Sequence, residues 1–433
     1  MRHQPISSEL FVANRARLTA QLLPNSLAIV HANDVLPTNA DGSLKIFPNA
    51  DLFYLSGIEQ EESILLLYPD AYEPKHREVL FLREPTERLQ IWEGKKLTQE
   101  AAVAKSGIQN VRWLSEFPRA LRDCMLSADQ AYLNQNEHRF ANTTVETRDS
   151  RFVKQCREDF PLQSFRRLAP LLHQLRTVKS KPELTLIQEA IRITQAGFDR
   201  VLEFVKPGVS EFEVEAELAH EFIRQRGAFA YTPIIAAGDN ACGLHYTDND
   251  QICRDGELLL LDVGSNYANY NADMTRTIPV NGRFTPRQRE VYDAVLRVMN
   301  ASIEGAVVGK HYRDWNHESQ LMMNEELLSL GLLTKEDVAK HTRDEPACRK
   351  YFMHGLGHPL GLDVHDVAPE DAPFADGWVI TVEPGIYLPE EGFAVRLEND
   401  VLITADGPVD LMREIPVEAE HIESVIADAA VTV

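Results

Sequence analysis

Between residues 26 and 134 short apolar runs alternate with polar turns, the pattern of strands separated by helical stretches. Candidate strands lie at 27–31, 52–56, 63–68, 78–82 and 131–134, and the helical patterns between them predict an α/β domain. Ionisable residues in this half are scattered and form no catalytic constellation. Residues 166–181 read as the passage into a second unit, which divides the chain into domains 1–170 and 171–433. Ser180-Lys-Pro-Glu183 has the form of a capping box, and Pro182 in a first helical turn loses no helical hydrogen bond. Leu184, Ile187, Ile191, Thr194 and Phe198 then keep helical spacing until Lys206-Pro-Gly208 stops it. Ser210 to Glu213 repeats the capping pattern, and Gly227 suits the end of that helix. Beyond residue 230 the pattern turns to strands. The run 258–263 is almost wholly apolar, and 274–280 alternates and predicts a hairpin with it across 265–271. Further strands are predicted at 379–382 and 393–404. The result is a mixed α/β (α+β) chain without repeats, in keeping with 433 residues being too many for one compact core.

Apolar residues make up 44% of the chain and charged residues 25%, an ordinary globular balance. Sixty-six acids against 44 Lys and Arg give a formal charge of -22, which argues against a nucleic-acid partner because phosphate backbones need basic stripes. The five cysteines, Cys124, Cys156, Cys242, Cys253 and Cys348, are far apart and contain no CxxC pair. Free thiols in a reducing compartment follow, and a zinc ribbon does not. No apolar stretch reaches the ~18 residues of a membrane span, and the N-terminus has no signal core, so a cytoplasmic chain without a membrane partner is expected.

Asp262 interrupts the apolar run Leu-Leu-Leu-Leu-Asp-Val-Gly. Alone it reads as a turn aspartate before Gly264. Asp273 stands eleven residues on, where hairpin pairing brings it beside Asp262. Two close carboxylates in apolar surroundings cannot both ionise without a cation. Glu383 ends another apolar run before Pro384-Gly385, and Glu398 sits within Val395-Arg-Leu-Glu-Asn-Asp400. Period-2 alternation puts Arg396, Glu398 and Asp400 on one face, where an Arg396–Glu398 salt bridge is the plain alternative. His354-Gly-Leu-Gly-His358 and His365 gather three imidazoles in twelve residues. The glycines and Pro359 forbid a helix there, so a helical zinc motif is excluded, and tight folding around a metal is expected instead. An oxygen-rich set of two Asp, two Glu and one His favours Mn²⁺, with Co²⁺ or Zn²⁺ able to substitute. Bridging carboxylates can hold two divalent ions about 3.5–4 Å apart, and a hydroxide between them predicts hydrolysis.

The order Asp, Asp, His, Glu, Glu resembles the metal-dependent pita-bread peptidases, a family including aminopeptidase P, prolidase and methionine aminopeptidase. The resemblance is to the bacterial aminopeptidase P type and covers nearly the whole chain. It is carried by Asn49-Ala-Asp-Leu-Phe-Tyr-Leu-Ser-Gly57, Ile91-Trp-Glu-Gly94, His245-Tyr-Thr, Asp273-Met-Thr-Arg-Thr277, Pro279-Val-Asn-Gly282, His354-Gly-Leu-Gly-His358 and Thr381-Val-Glu-Pro-Gly385. It implies a creatinase-like N-terminal α/β domain before a pita-bread catalytic domain. It also implies cleavage between an N-terminal residue and a following proline, with peptides bearing proline second as substrates. Asp262, Asp273, His358, Glu383 and Glu398 match the metal ligands, with Asp273 and Glu398 bridging and Glu383 doubling as general base. His354 and His365 match catalytic pocket histidines, His245 and Arg396 match positions around the proline-binding side, and Tyr387, four residues past Glu383, is expected to line the same pocket. Family N-terminal domains restrict the cleft and build homodimers or homotetramers, for which Trp92 is a candidate contact. Compared with the bacterial enzymes, the stretches 365–377 and 383–398 are short, and Asp366-Val-Ala-Pro stands where a tyrosine is common. Other readings are an Xaa-Pro dipeptidase, a methionine aminopeptidase (disfavoured by the large N-terminal domain), a creatinase (disfavoured by the intact ligands) and a non-catalytic peptide-binding module.

Overall fold

The computed structural model describes residues 3–141 and 144–432, and the chain divides into two compact units, Gln4–Arg176 and the part from Thr177 onward. In the first, a six-stranded mixed sheet runs in the order Val111–Trp113, Glu78–Leu82, Ile64–Leu67, Ser26–His31, Gln130–Leu133, Ser164–Arg167. Ser26–His31 lies antiparallel to Ile64–Leu67 and parallel to Gln130–Leu133. Phe81, Phe117, Leu121, Phe152 and Cys156 form much of the core on one side of it.

One strand expectation fails. Residues 52–56 belong to the helix Ala50–Ser56. All five are buried, and a short continuous apolar run cannot distinguish strand from helix by period. The ends decide the matter. The Asn49 side chain accepts from the Leu52 N–H at 3.0 Å, and Gly57 closes the helix at φ +68° with its N–H on the Phe53 carbonyl.

In the second unit the capping boxes form as read. The Glu183 and Glu213 carboxylates return to the backbone N–H of Ser180 and Ser210, each at 2.8 Å, opening the helices Lys181–Phe204 and Glu211–Arg224. Gly227 ends the second of these helices as expected, its N–H donating to the Phe222 carbonyl at 2.8 Å, but the left-handed turn is not its own. Arg226 takes the left-handed turn at φ +71°, whereas a Cβ on Gly227 would stand 2.6 Å from the Ser265 hydroxyl. That glycine is required by close approach.

Leu258–Val263 pairs antiparallel with Met274–Pro279 on one side and Ile234–Ala237 on the other. The connection between the first two is itself a small hairpin, Ser265–Tyr267 with Tyr270–Asn271, turned at Ala268 and Asn269 with positive φ. The predicted strand 393–404 breaks at Leu397–Glu398. Phe393–Arg396 pairs with Gly385–Leu388, and Asn399–Thr404 pairs with Val379–Val382 and Gly407–Asp410. The helix Pro286–Glu304 packs on Phe393–Arg396 and on Tyr312–Ser329. Among the described residues no helix is long and apolar enough to cross a membrane.

Candidate metal centre

Four backbone segments converge on one spot because two strand pairs and one loop are stitched together there. Asp262 lies near the end of Leu258–Val263, opposite Thr275, so Asp273 stands just outside the paired strand and beside it. Glu398 occupies the break in the bent strand, where its N–H donates to the Thr275 carbonyl at 3.0 Å. His358 lies on a loop that runs along Val379–Val382. Its N–H reaches the Thr381 hydroxyl at 3.0 Å, and its carbonyl accepts from Thr381 N–H at 2.8 Å. Glu383 N–H donates to Leu356 at 2.8 Å, which fixes the acid that follows the strand to the same loop. A Cβ on Gly357 would stand 2.0 Å from the Thr381 carbonyl oxygen. The expected need for glycine is therefore met by a specific contact: the loop can lie against the strand only without a side chain there.

Asp273, His358 and Glu398 each offer a ligand atom, all within 4.8 Å of one another. His358 Nε2 is 3.5 Å from Asp273 and 3.6 Å from Glu383. Asp262 joins them through Tyr231, whose hydroxyl donates to Asp262 at 2.6 Å and also contacts Asp273. The electrostatics show a site short of positive charge. Burial, with the neighbouring acids, pushes Glu383 up to about 7 and Glu398 well above the usual carboxylate range. Asp262 is also raised by burial, against the pull of Arg396. Burial acts to lower His358, but Asp273 and Glu383 outweigh it and raise the imidazole to about 9. Hard oxygen donors that resist ionising together, with one imidazole among them, fit divalent cations. Asp262, Asp273, His358, Glu383 and Glu398 are the residues that would hold them.

The surrounding groups form a chain of hydrogen bonds. Arg396 donates to Asp262 at 2.6 Å, to Thr275 Oγ1 at 3.2 Å and to the Tyr387 hydroxyl at 2.8 Å; that hydroxyl lies 2.8 Å from His354 Nε2. The ion pair considered between Arg396 and Glu398 is thus made with Asp262, and Glu398 instead accepts from the Thr275 hydroxyl at 2.7 Å. His354 is lowered to about 4 by burial, by Arg396 and by His245, so it is neutral near neutral pH. The His365 ring lies 4.0 Å from that of His358, and His245 is exposed on the segment after the short helix Gly238–Cys242. Trp92 lies on the short helix Glu87–Glu93 of the N-terminal unit and is 80% exposed.

Sequence reading missed four contributors: Tyr231, Thr275, Thr381 and Asp400. Asp400 is fully buried and accepts from Asp273 N–H at 3.2 Å. Its place on the Arg396–Glu398 face was a usable signal. Tyr231, more than thirty residues from either aspartate it serves, carried none.

The signature of metallopeptidase family M24 matches residues 185–405, and that of the aminopeptidase P N-terminal domain matches residues 11–132. The chain is 34% identical to the Xaa-Pro aminopeptidase of Escherichia coli K12, over 98% of this chain and 99% of that one. It is 33% identical to the Haemophilus influenzae Xaa-Pro aminopeptidase, over 97% and 98%. A solved structure of zinc-substituted E. coli aminopeptidase P in complex with product superposes with a TM-score of 0.88 at 32% identity, covering 98% of this chain and 99% of that one. The chain belongs to metallopeptidase family M24, and its fold is the expected one: an aminopeptidase P-type N-terminal domain before a pita-bread domain.

Proposed function

We propose that this metallopeptidase is an aminopeptidase that hydrolyses the bond between an N-terminal residue and a following proline. The observation that carries the reading is the convergence of Asp262, Asp273, His358, Glu383 and Glu398 on one buried spot, in a chain matching Xaa-Pro aminopeptidases end to end. Two divalent cations bound there, Mn²⁺ by the donor chemistry with Co²⁺ or Zn²⁺ as substitutes, would acidify the attacking water and polarise the scissile carbonyl.

The chain's own residues divide the remaining work. Asp273 and Glu398 would be the central carboxylates of the set that holds the cations. Glu383, 3.6 Å from His358, is the general base in this reading: it takes a proton from the attacking water and returns it to the leaving proline nitrogen. His354, held neutral and fixed by Tyr387, can steady the scissile amide, and His365 lines the same pocket beside His358. His245 faces the proline side of the substrate. Arg396 and Tyr387 hold this wall of the cleft through Asp262 and His354, and Arg396 is already committed to Asp262. The N-terminal domain builds a homodimer or homotetramer, with exposed Trp92 as a contact. The enzyme acts in the cytoplasm.

Release of the first residue from Xaa-Pro, Xaa-Pro-Pro and Xaa-Ala-Pro, with and without Mn²⁺, tests this. Metal-dependent cleavage of Xaa-Pro-Pro with Xaa-Ala-Pro spared is expected. Cleavage of the dipeptide alone would make the protein a prolidase, and no cleavage with any metal would make it a binding module. Glu383→Ala and His358→Ala should each lower turnover by orders of magnitude; near-normal rates would overturn the assignment.

A further inference from the structure

Outside the metal centre, Glu211 is a fully buried carboxylate with four donors on one segment of chain. Its Oε1 accepts from Ala237 N–H at 2.7 Å and Asn240 Nδ2 at 3.1 Å, and its Oε2 accepts from the Tyr246 hydroxyl at 2.7 Å and Gln251 N–H at 2.9 Å. The backbone adds a fifth tie, Glu211 N–H to the Gln251 carbonyl at 2.9 Å. These contacts hold the entrance, the middle and the exit of residues 237–251, and the segment carries His245. Glu211 opens the helix Glu211–Arg224, where the helix dipole favours a negative charge.

The tether leads to the cleft. Leu244 and Tyr246 flank His245 and pack on the cluster of Ile234, Ala236, Leu260 and Tyr387. Tyr387 in turn bonds His354 at 2.8 Å. Only an ionised carboxylate presents acceptors to four donors at once, because the amide of Gln turns an NH₂ toward two of them. We propose that Glu211 is a positioning residue for the peptidase reaction, holding the 237–251 segment so that His245 stands in the cleft beside His354. The proposal rests on the peptidase reading, in which His245 meets the substrate. Orientation of such a group contributes to rate only if it is fixed before the substrate arrives.

The test is a double-mutant cycle of Glu211→Gln with His245→Ala on Xaa-Pro-Pro in the metal-loaded enzyme. E211Q is expected to lower kcat/KM about tenfold, equivalent to about 1.4 kcal/mol, with two metals per subunit retained. In the H245A background the same change is expected to cost less than about twofold, because the group it positions is gone. Losses that multiply in the double variant, or full activity in E211Q, overturn the proposal. Should E211Q fail to fold, Tyr246→Phe keeps three of the four donors, and the same cycle with H245A is read at a smaller loss, about threefold. Amide hydrogen exchange over 237–251 reads the tether without substrate, and exchange unchanged in E211Q, or in Y246F where E211Q does not fold, overturns it as well. Wild-type protein inactive on every proline peptide would instead refute the peptidase reading, and is seen before any variant is made.

Discussion

Arg276 gives the sharpest perturbation of the metal centre that leaves every candidate ligand in place. It lies on Met274–Pro279 next to Thr275, and its guanidinium is completely buried. It donates to the Pro416 carbonyl at 2.9 Å, the Thr275 carbonyl at 2.9 Å, the Glu398 carbonyl at 2.7 Å and Asn399 Oδ1 at 2.8 Å. The break that lets Glu398 face the site is therefore held from behind by a planar fork of donors. Lysine has one ammonium on a flexible stem and cannot reach acceptors on both sides of that fork. Arg276→Lys should strand two buried acceptors, at about 1–3 kcal/mol each, so a loss of about 2–6 kcal/mol is expected. With the Glu398 backbone released, metal affinity should fall about 10–100-fold, the scale seen when groups behind a ligand are lost. The assay is a denaturant titration of the metal-free protein together with metal content at buffered free Mn²⁺. Wild-type midpoint and wild-type metal affinity in R276K would refute the reasoning.

Three further outcomes are expected. Glu383 and His358 hold protons more tightly folded than unfolded, at about 7 against 4.5 and about 9 against 6.5. Their contribution to metal-free stability is present at low pH and lost as pH rises through those folded values. Metal binding needs the ligands deprotonated, so the Tm increase produced by Mn²⁺ should grow from about pH 6 to about pH 9; a shift independent of pH would contradict this. Gly357→Ala forces its Cβ toward the Thr381 carbonyl oxygen 2.0 Å away, which should lower the denaturation midpoint and displace His358. Elemental analysis should find metal lost, and full occupancy with normal stability would show that the loop does not need that contact. Tyr231→Phe removes the hydroxyl shared by Asp262 and Asp273 and should weaken metal binding about tenfold while leaving the ligands intact, read by chelator competition.

Several of the candidate ligands were legible because they break a local rule. Asp262 is charged inside an apolar strand, Glu383 ends another, and the glycines around His354 and His358 forbid the helix their spacing suggests. Such conflicts between pattern and residue mark sites. Hairpin register followed from alternation and put Asp273 by Asp262, as the pairing of Thr275 with Asp262 bears out. Local chemistry also fixed the capping boxes of the two helices that open the catalytic domain.

Tertiary structure decided what alternation cannot encode. Residues 52–56 are helical because Asn49 and Gly57 cap them, although their apolar run suits a strand equally well. The strand at Glu398 bends because its halves pair with different partners, and Arg276, more than a hundred residues away, holds the bend. Arg396 pairs with Asp262 rather than with its neighbour Glu398, and Tyr231 and Glu211 act on groups that only the folded chain brings near. The physical reason is the same in each case. Period and composition report what one segment does with water, whereas a buried charge or donor must find its partner wherever the fold brings one within reach.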